Sequence, residues 1–241
     1  EIFEEGFRLP VMKLYREGEP NEDLFRIIRL NVRVPDIVIG DLQAQLASNT
    51  IMQRRLIEFM EANKLSDLDD LFAAVWDRSD RAMQLGIDEI PSGTYYGEVE
   101  TDGFHSPLTL RCALTVGNNE MHLDCSGSSA QDEHGINCTG RYAGAEAAMA
   151  CICVARPSSP ITGATLKRIR FSAPAGSIIN ATYPAALGGR ALVSMYMQAL
   201  VFRTLANAVP DRVIADAGTP PHLSAYMGLG NSGRRFVDIM F

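Results

Sequence analysis

The hydrophobic pattern of this chain changes its period near Pro91-Ser92-Gly93, and this change constrains the fold more than any other feature. Before it, apolar residues recur at a spacing of about 3.6 residues, which predicts helices. After it, apolar and polar residues alternate in short segments, which predicts strands. Further helices follow near the end. The order indicates an α+β fold, with helices plus an antiparallel β-meander, and not a doubly wound parallel sheet.

Three helices are predicted before the change. The first follows the N-cap candidate Asn21 and stops before Pro35, because the residue before a proline avoids the helical region. After a loop, a longer helix begins at Asp41. Its apolar side comprises Leu42, Leu46, Met52, Leu56, Phe59 and Met60. A third helix begins at the capping residue Ser66. The side chains predicted to turn inward from it are Leu68, Leu71, Phe72, Val75 and Trp76.

Three strands are predicted directly after the change, over residues 94–100, 108–116 and 120–125. The turn signals Asp102-Gly103 and Gly117-Asn118-Asn119 join them, so an antiparallel meander is the simplest arrangement. A helix over 143–155, a strand over 164–172 and a helix over 191–208 follow. We therefore divide the chain into a helical part, 1–90, and a mixed β-meander and helix part, 91–241, which together form one continuous structural unit.

Both ends of the sequence resemble the interior of a longer protein. Residues 1–9 contain neither an initiator methionine nor a polar tail, and residues 236–241 read as an apolar strand that should pair with a segment following it. We expect the chain to be a fragment of a larger mixed subunit.

The charge balance argues against several classes of partner. With 29 acidic and 22 basic residues the formal net charge is -7, and no segment gathers the basic residues that nucleic acids or anionic membranes require. The longest apolar runs are shorter than the roughly 20 residues of a membrane-spanning helix. The five cysteines are odd in number and irregularly spaced, which indicates reduced thiols in a cytoplasmic protein.

Motifs for nucleotides and metals are weak in this sequence. There is no P-loop, and although residues 228–233 spell G-x-G-x-x-G, the residues after them are strand-like where a helix is needed. No histidine pair has metal-ligand spacing. Asp132-Glu133-His134 is the densest group of ligand types, but neighbours in an extended loop point in different directions, so a solvated loop is predicted there. No metal ligands are predicted within this chain.

Polar residues at the ends of elements are the better candidates for a site. They are Glu5 beside a glycine, Asn31 and Arg33 on one side of an extended segment, Asp41 at a helix N-terminus, Asp124 at the end of an apolar strand, and Asn137 after Gly135. Capping or turn chemistry remains the alternative explanation for each of them.

Taken in order, several short motifs resemble those of the hydantoinase B/oxoprolinase family. They are Glu1-Ile2-Phe3-Glu4-Glu5-Gly6-Phe7-Arg8-Leu9-Pro10 with Lys13-Leu14, Asn31-Val32-Arg33-Val34-Pro35, Gly40-Asp41-Leu42-Gln43-Ala44-Gln45 with Arg54-Arg55-Leu56, Ile90-Pro91-Ser92-Gly93-Thr94-Tyr95, Leu123-Asp124-Cys125-Ser126-Gly127-Ser128, Gly135-Ile136-Asn137, Pro174-Ala175-Gly176-Ser177 and Tyr183-Pro184-Ala185-Ala186. Each motif is short, but their order and spacing together are specific, and they span nearly the whole chain.

The resemblance implies a component of an ATP-dependent, metal-assisted enzyme. Such an enzyme acts on a cyclic amide (hydantoin, oxoproline or lactam) or on a ketone through a phosphorylated intermediate, by hydrolysis or by carboxylation. It implies a hetero-oligomer in which ATP and Mg²⁺ are bound by a hydantoinase A-type subunit. It also implies a divalent metal, Zn, Mn or Fe, whose ligands lie in a segment upstream of Glu1.

Under this resemblance, six residues are assigned to the site. The catalytic candidates are Asp41, as a carboxylate near the metal, Arg33, as a clamp for phosphate or carboxylate, and Glu5. The substrate-binding candidates are Asn31, Asp124 and Asn137, and both asparagines are expected to be orienting donors. The chain departs from the family pattern at Thr162, where many members have asparagine. The alternative hypothesis is a non-catalytic scaffold or assembly subunit of a multi-subunit carboxylase.

Overall fold

The computed structural model describes residues 1–215, 224–229 and 235–240. They fall into two compact units, Gly6–Ala74 and a larger unit made of Glu1–Glu5 with Val75–Phe241. The helices of the described part are α1 (Glu22–Asn31), α2 (Pro35–Ala62), α3 (Asp69–Asp88), α4 (Gly140–Ala155), α5 (Gly163–Lys167), α6 (Ala191–Ser194) and α7 (Tyr196–Leu205). The strands are β1 (Tyr15–Arg16), β2 (Glu19–Pro20), β3 (Gly93–Thr101), β4 (Leu108–Gly117), β5 (Glu120–Asp124), β6 (Ile169–Ser172), β7 (Ser224–Leu229) and β8 (Arg235–Met240).

The smaller unit contains the β1–β2 hairpin, α1 and α2. The predicted N-cap of α1 is confirmed, since Oδ1 of Asn21 accepts a hydrogen bond of 3.3 Å from the Leu24 backbone N–H. A small core holds α1 against α2. Its buried side chains are Leu24, Phe25, Ile28 and Ile39.

The long helix α2 begins earlier than predicted. Val34 has non-helical backbone angles (φ −126°, ψ 71°), but Pro35 takes the first helical position, where its missing N–H needs no partner. The predicted loop between Pro35 and Asp41 is therefore wrong, and Asp41 lies inside α2, not at its N-terminus. The extended segment predicted around Asn31 is also wrong at that residue, because α1 continues through Asn31, whose Nδ2 donates to the Ile27 carbonyl at 2.8 Å.

Much of the predicted apolar side of α2 is accessible to solvent. Leu46, Met52, Leu56 and Phe59 are between 40% and 66% exposed. α3 begins at Asp69 and not at Ser66, with the Asp67 carboxylate accepting from the Asp69 N–H. The prediction that Leu71, Phe72, Val75 and Trp76 turn inward is wrong, as all four are exposed. Helical spacing identifies an apolar side but not what covers it.

The larger unit is built on a four-stranded sheet in the order β3-β4-β5-β6. The predicted antiparallel meander is confirmed for β3, β4 and β5, but β6 pairs with β5 in parallel, so the sheet is mixed. Residues 164–167, predicted as the start of that strand, belong instead to the short helix α5. The C-terminal strand β8 pairs antiparallel with β7, which precedes it.

The core of the larger unit lies between this sheet and the helices α4 and α7. Alternate residues of β4 are buried, as the period-2 pattern predicts. α4 presents small buried residues such as Ala143 and Ala147, which allow close packing. Gly97 of β3 also permits close approach, because a Cβ there would overlap the Thr204 side chain of α7. In the described part of the chain, no helix has the length and apolar character needed to cross a bilayer.

A bidentate ion pair joins α3 to the end of α5. Nε and Nη2 of Arg168 donate to the two carboxylate oxygens of Asp80 at 2.7 and 2.5 Å, and both side chains are about three-quarters buried. Hydrogen bonds from Arg168 lower the pKa of the Asp80 carboxyl below its usual value. The pair therefore stabilises the fold most when Asp80 is charged.

We expect Asp80→Asn to reduce the free energy of unfolding by about 1–2 kcal/mol at neutral pH, since one charged hydrogen-bond partner is lost. Because the folded-state pKa of Asp80 is lowered, its contribution is complete above the unfolded value near 3.9 and is lost as the pH falls further. Urea unfolding at pH 7 and pH 3 measures both effects. Asp77→Asn, on an exposed residue of the same helix, should change stability by less than about 0.5 kcal/mol; equal losses in the two variants would contradict this role of the pair.

Candidate functional site

Polar residues in the larger unit converge where several loops meet. We call this region the loop cluster. It comprises residues 102–107 after β3, residues 126–139 after β5, residues 181–190 before α6, and residues 1–5. Two of the six predicted site residues, Glu5 and Asn137, lie in it.

Asn137 is the central anchor of the loop cluster. It is fully buried, and its Oδ1 accepts from the Asp132 N–H at 2.7 Å. Its Nδ2 donates to the carbonyls of Asp132, His134 and Ala186 at 2.8–3.0 Å. The amide is thus used by backbone groups of two loops, which holds residues 132–137 against residue 186.

Asp132 orients His134 within this anchored loop. One carboxylate oxygen accepts from both the backbone N–H and the ring Nδ1 of His134, at 2.8 and 2.7 Å. The hydrogen bonds from the backbone N–H and the ring of His134 lower the pKa of the Asp132 carboxyl. On one face the His134 ring stacks on Phe104, with centroids 4.3 Å apart. His134 is therefore fixed by a hydrogen bond and by a ring contact.

His105, Glu133 and His134 form a group whose potential ligand atoms all lie within 4.8 Å of one another. Nε2 of His105 is 3.1 Å from Oε1 of Glu133. The prediction of a solvated loop at residues 132–134 is confirmed for Glu133, whose side chain is exposed. That prediction does not include the approach of three potential ligands to one another, because the third, His105, comes from the loop between β3 and β4.

Glu5 joins the N-terminal segment to the loop cluster. Its Oε1 accepts a hydrogen bond from the Gly188 N–H. Next to it, the Gly189 N–H donates to the Gly135 carbonyl, and the Ile2 N–H donates to the Pro184 carbonyl at 2.9 Å. A Cβ at Gly188 would lie 2.9 Å from the Glu5 carboxylate, so a larger residue there would require the Glu5 side chain to shift. The carboxylate of Glu5 remains partly open to solvent.

The other four predicted residues lie elsewhere. Asp124 ends β5, where its Oδ1 accepts from the hydroxyl and N–H of Ser126, and these bonds lower the pKa of its carboxyl. Asn31, Arg33 and Asp41 belong to the smaller unit and are exposed. The structure thus brings Glu5 and Asn137 to one region, places Asp124 in the same unit at a strand end, and leaves the other three in the smaller unit.

The cysteines do not supply a reactive thiolate near the loop cluster. All five are free, as the sequence predicts, and Cys153 alone among them is exposed. Cys138 follows Asn137 directly, and burial raises the pKa of its thiol to about 11. A thiol with such a pKa is mostly protonated at neutral pH and is a poor nucleophile.

Two concave regions of the larger unit differ in size. An open groove of about 750 Å³ runs along α4 and is lined mainly by apolar groups, including Met149, Leu166 and Phe171. A smaller cavity of about 230 Å³ adjoins the loop cluster, and Phe104, which stacks on His134, is part of its wall. Both are lined mainly by apolar groups, and Thr101 and Asp102 are polar residues in the wall of the smaller cavity.

Comparison with protein families gives a match over residues 1–240 to the model of hydantoinase B/oxoprolinase. The B component of a putative D-/L-hydantoinase from a Pseudomonas species is 25% identical over 256 residues, covering 100% of this chain and 43% of that protein. The beta component of the caprolactamase from Pseudomonas jessenii is 26% identical over 246 residues, covering 99% of this chain and 41% of that protein. The chain therefore spans less than half the length of these relatives.

Solved structures share the architecture. The crystal structure of the ATP-dependent caprolactamase from Pseudomonas jessenii superposes with a TM-score of 0.77 at 25% identity, covering 88% of this chain and 37% of that one. An acetone carboxylase in a nucleotide-free structure gives a TM-score of 0.79 at 18% identity, covering 98% of this chain and 34% of that one. Both likenesses support the mixed α+β fold.

Proposed function

The chain belongs to the hydantoinase B/oxoprolinase family, and from that premise we propose that it forms the central part of a catalytic subunit in an ATP-dependent enzyme. The substrate is a cyclic amide, such as a hydantoin, oxoproline or lactam, or else a ketone. The reaction is hydrolysis or carboxylation through a phosphorylated intermediate. The observation that carries this proposal is the family match over residues 1–240.

The relatives supply the chemistry that the proposal extends to this chain. They include components of a hydantoinase and of a caprolactamase, and the caprolactamase of known structure is ATP-dependent. Phosphorylation of a carbonyl oxygen makes that oxygen a better leaving group, which is the step that ATP would provide. In amide opening this oxygen can depart as phosphate after water attacks the carbon. In ketone carboxylation the oxygen would be retained, and the neighbouring carbon of the enol phosphate would form a bond to CO₂ while the phosphoryl group passes to water.

Cofactors and partners follow from the same proposal. ATP with Mg²⁺ is bound by a hydantoinase A-type subunit, and residues outside this chain bind a divalent metal, Zn, Mn or Fe. The assembly is a cytoplasmic hetero-oligomer. The five cysteines are free thiols, which suits the reducing conditions of the cytoplasm. The exposed apolar residues of α2 are the kind of surface that contacts between subunits cover.

Within this chain, the predicted site residues have distinct tasks in the proposal. Arg33 clamps a phosphate or carboxylate, and Asp41 supplies a carboxylate near the metal. Asn31 and Asp124 bind substrate. Glu5 and Asn137 act through the loop cluster, where Asn137 holds the loops in place and Glu5 secures residues 188–189.

A non-catalytic scaffold subunit is the second candidate. The apolar side chains that α2 leaves 40–66% exposed favour it, since a large apolar surface is suited to assembly. In that case the complex would keep its activity when the predicted site residues are replaced. Metal bound by residues outside this chain discriminates further, because a catalytic subunit should carry a stoichiometric divalent ion there and a scaffold should not.

We expect Arg33→Ala and Asp41→Ala, made separately in the complete complex, to lower kcat/KM about 10- to 100-fold, as loss of a charged contact to the transition state would. The value of kcat/KM is measured from substrate-dependent formation of ADP and of product. One assay uses a cyclic amide, and another uses a ketone plus bicarbonate. Arg54→Ala and Glu58→Ala are matched controls on the exposed side of α2 and should stay within about twofold. Unchanged turnover in both site variants removes these residues from the site and favours the scaffold.

A further inference from the structure

We propose that His105, Glu133 and His134 form a binding site for a divalent transition-metal ion such as Zn²⁺. Two imidazoles and one carboxylate are a common donor set for zinc. The three potential ligand atoms lie within 4.8 Å of one another in the described part of the chain. They come from two loops, so the ion would bridge the segment after β3 to the segment after β5.

His134 is already prepared as a ligand. Its Nδ1 is 2.7 Å from a carboxylate oxygen of Asp132. Because an ionised carboxylate only accepts hydrogen bonds, Nδ1 is the donor in this contact, which leaves Nε2 as the ring nitrogen available to a metal ion. Histidine ligands of metals are typically oriented by a carboxylate on the other ring nitrogen. Stacking on Phe104 fixes the plane of the ring as well.

The distances allow an ion with small adjustments. Tetrahedral zinc with bonds of about 2.0–2.1 Å separates its ligand atoms by roughly 3.4 Å. His105 Nε2 and Glu133 Oε1 are already 3.1 Å apart. His105 and Glu133 are 68% and 77% exposed, so their side chains can move without disturbing the core. His134 stays in place because Asn137 holds its loop.

Three protein ligands leave one coordination position open. This position is accessible, since two of the three side chains face solvent, and Phe104 also forms part of the wall of a cavity of about 230 Å³. The site would therefore hold an ion with a bound water that a small oxygen ligand could replace. All three ligands belong to this chain, so the proposal goes beyond the proposed function and does not depend on it.

Calorimetric titration of Zn²⁺ into the full 241-residue chain, freed of metal beforehand, tests the proposal. We expect one tight site in the parent chain and an affinity reduced more than about 100-fold in His105→Ala, in His134→Ala and in Glu133→Gln. His122→Ala, which removes an imidazole from β5, should bind as the parent does. Circular dichroism checks folding, and Glu133→Gln keeps the test valid if a histidine variant fails to fold.

Asp132→Asn separates an organised site from a chance grouping of side chains. It keeps the size of the residue but removes the charge that holds the His134 proton, so affinity should fall about 10- to 100-fold. Visible spectra of the Co²⁺ form should show a low-symmetry site that His105→Ala abolishes. Absence of zinc binding in the parent chain, or equal affinity in the parent, His105→Ala and His134→Ala, overturns the proposal.

Discussion

Asn137→Ala is expected to lower the free energy of unfolding by about 3–5 kcal/mol. The side chain is fully buried and makes four hydrogen bonds to backbone groups of three residues. Alanine leaves those groups without partners, and an unsatisfied buried group costs about 1–3 kcal/mol. Urea unfolding measures the loss, and the melting temperature should fall by roughly 6–20 °C for a chain of this size.

Two further substitutions show which atoms of Asn137 matter. Asn137→Asp keeps the shape but replaces the Nδ2 donor by an oxygen that faces three carbonyls, so it should destabilise about as much as alanine. Asn180→Ala is the control, because Asn180 is half-buried and its Nδ2 makes one bond, to the Ala173 carbonyl at 2.8 Å. It should lose only about 1 kcal/mol. A loss in Asn137→Ala no larger than this control would show that the amide does not hold the loops.

The effect of Asn137 on stability also bears on its predicted role. In the sequence it follows Gly135 at a distance of two residues, where either substrate binding or turn chemistry is reasonable. In the structure its Nδ2 hydrogen atoms are taken by backbone carbonyls. Its contribution to function therefore runs through the position of residues 132–137. This gives Asn137 the part of a positioning residue in the proposed function.

The sheet shows how far periodicity alone predicts this fold. Alternation along β4 is strong, and turn signals follow β3 and β4, so the order and approximate bounds of the three meander strands can be predicted. β6 has only four residues and pairs with β5 in parallel, from which it is separated by α4 and α5. The residues of β6 do not indicate which strand it pairs with, because that choice depends on packing between segments that are far apart in the sequence.

The start of α2 shows a different limit. The rule that a residue before proline avoids the helix correctly places Val34 outside it. The same proline is well suited to the first turn of a helix, and this second property carries α2 back to Pro35. When only the first rule is applied, Pro35 is read as the end of a helix and the next helix is placed at Asp41, as its cap. Both rules are needed to see that one helix ends before Pro35 and the next begins at it.

The metal-ligand group shows why the candidate site can be predicted only in part. Asp132, Glu133 and His134 stand out in the sequence, but neighbours in a loop seldom bind one ion together. In the structure Asp132 turns to His134 and supports it, while Glu133 meets His105, 28 residues earlier in the chain. This convergence depends on how the loop after β3 meets the loop after β5. Spacing along the chain does not contain that information.

Gly86 in α3 lies where this helix meets the end of α4. It is buried, and a Cβ built on it would be 2.3 Å from the carbonyl oxygen and 2.8 Å from the carbonyl carbon of Ala155. Both atoms belong to the backbone, so rotation of a side chain cannot relieve the overlap. Either α3 or the end of α4 has to move. Gly40 in α2 is also inside a helix, but a Cβ there meets nothing within 4 Å.

We therefore expect Gly86→Ala to destabilise the protein by about 2–3 kcal/mol, because overpacking against backbone outweighs the gain in helix propensity. Gly40→Ala should instead stabilise it by about 0.5–1 kcal/mol, since alanine loses less conformational freedom in a helix than glycine. Urea unfolding followed by far-UV circular dichroism measures both variants. The same chemical change thus has opposite signs at two helical positions, and the difference isolates the contact with Ala155. If Gly86→Ala were neutral or stabilising, α3 would not approach α4 as closely as the structure requires.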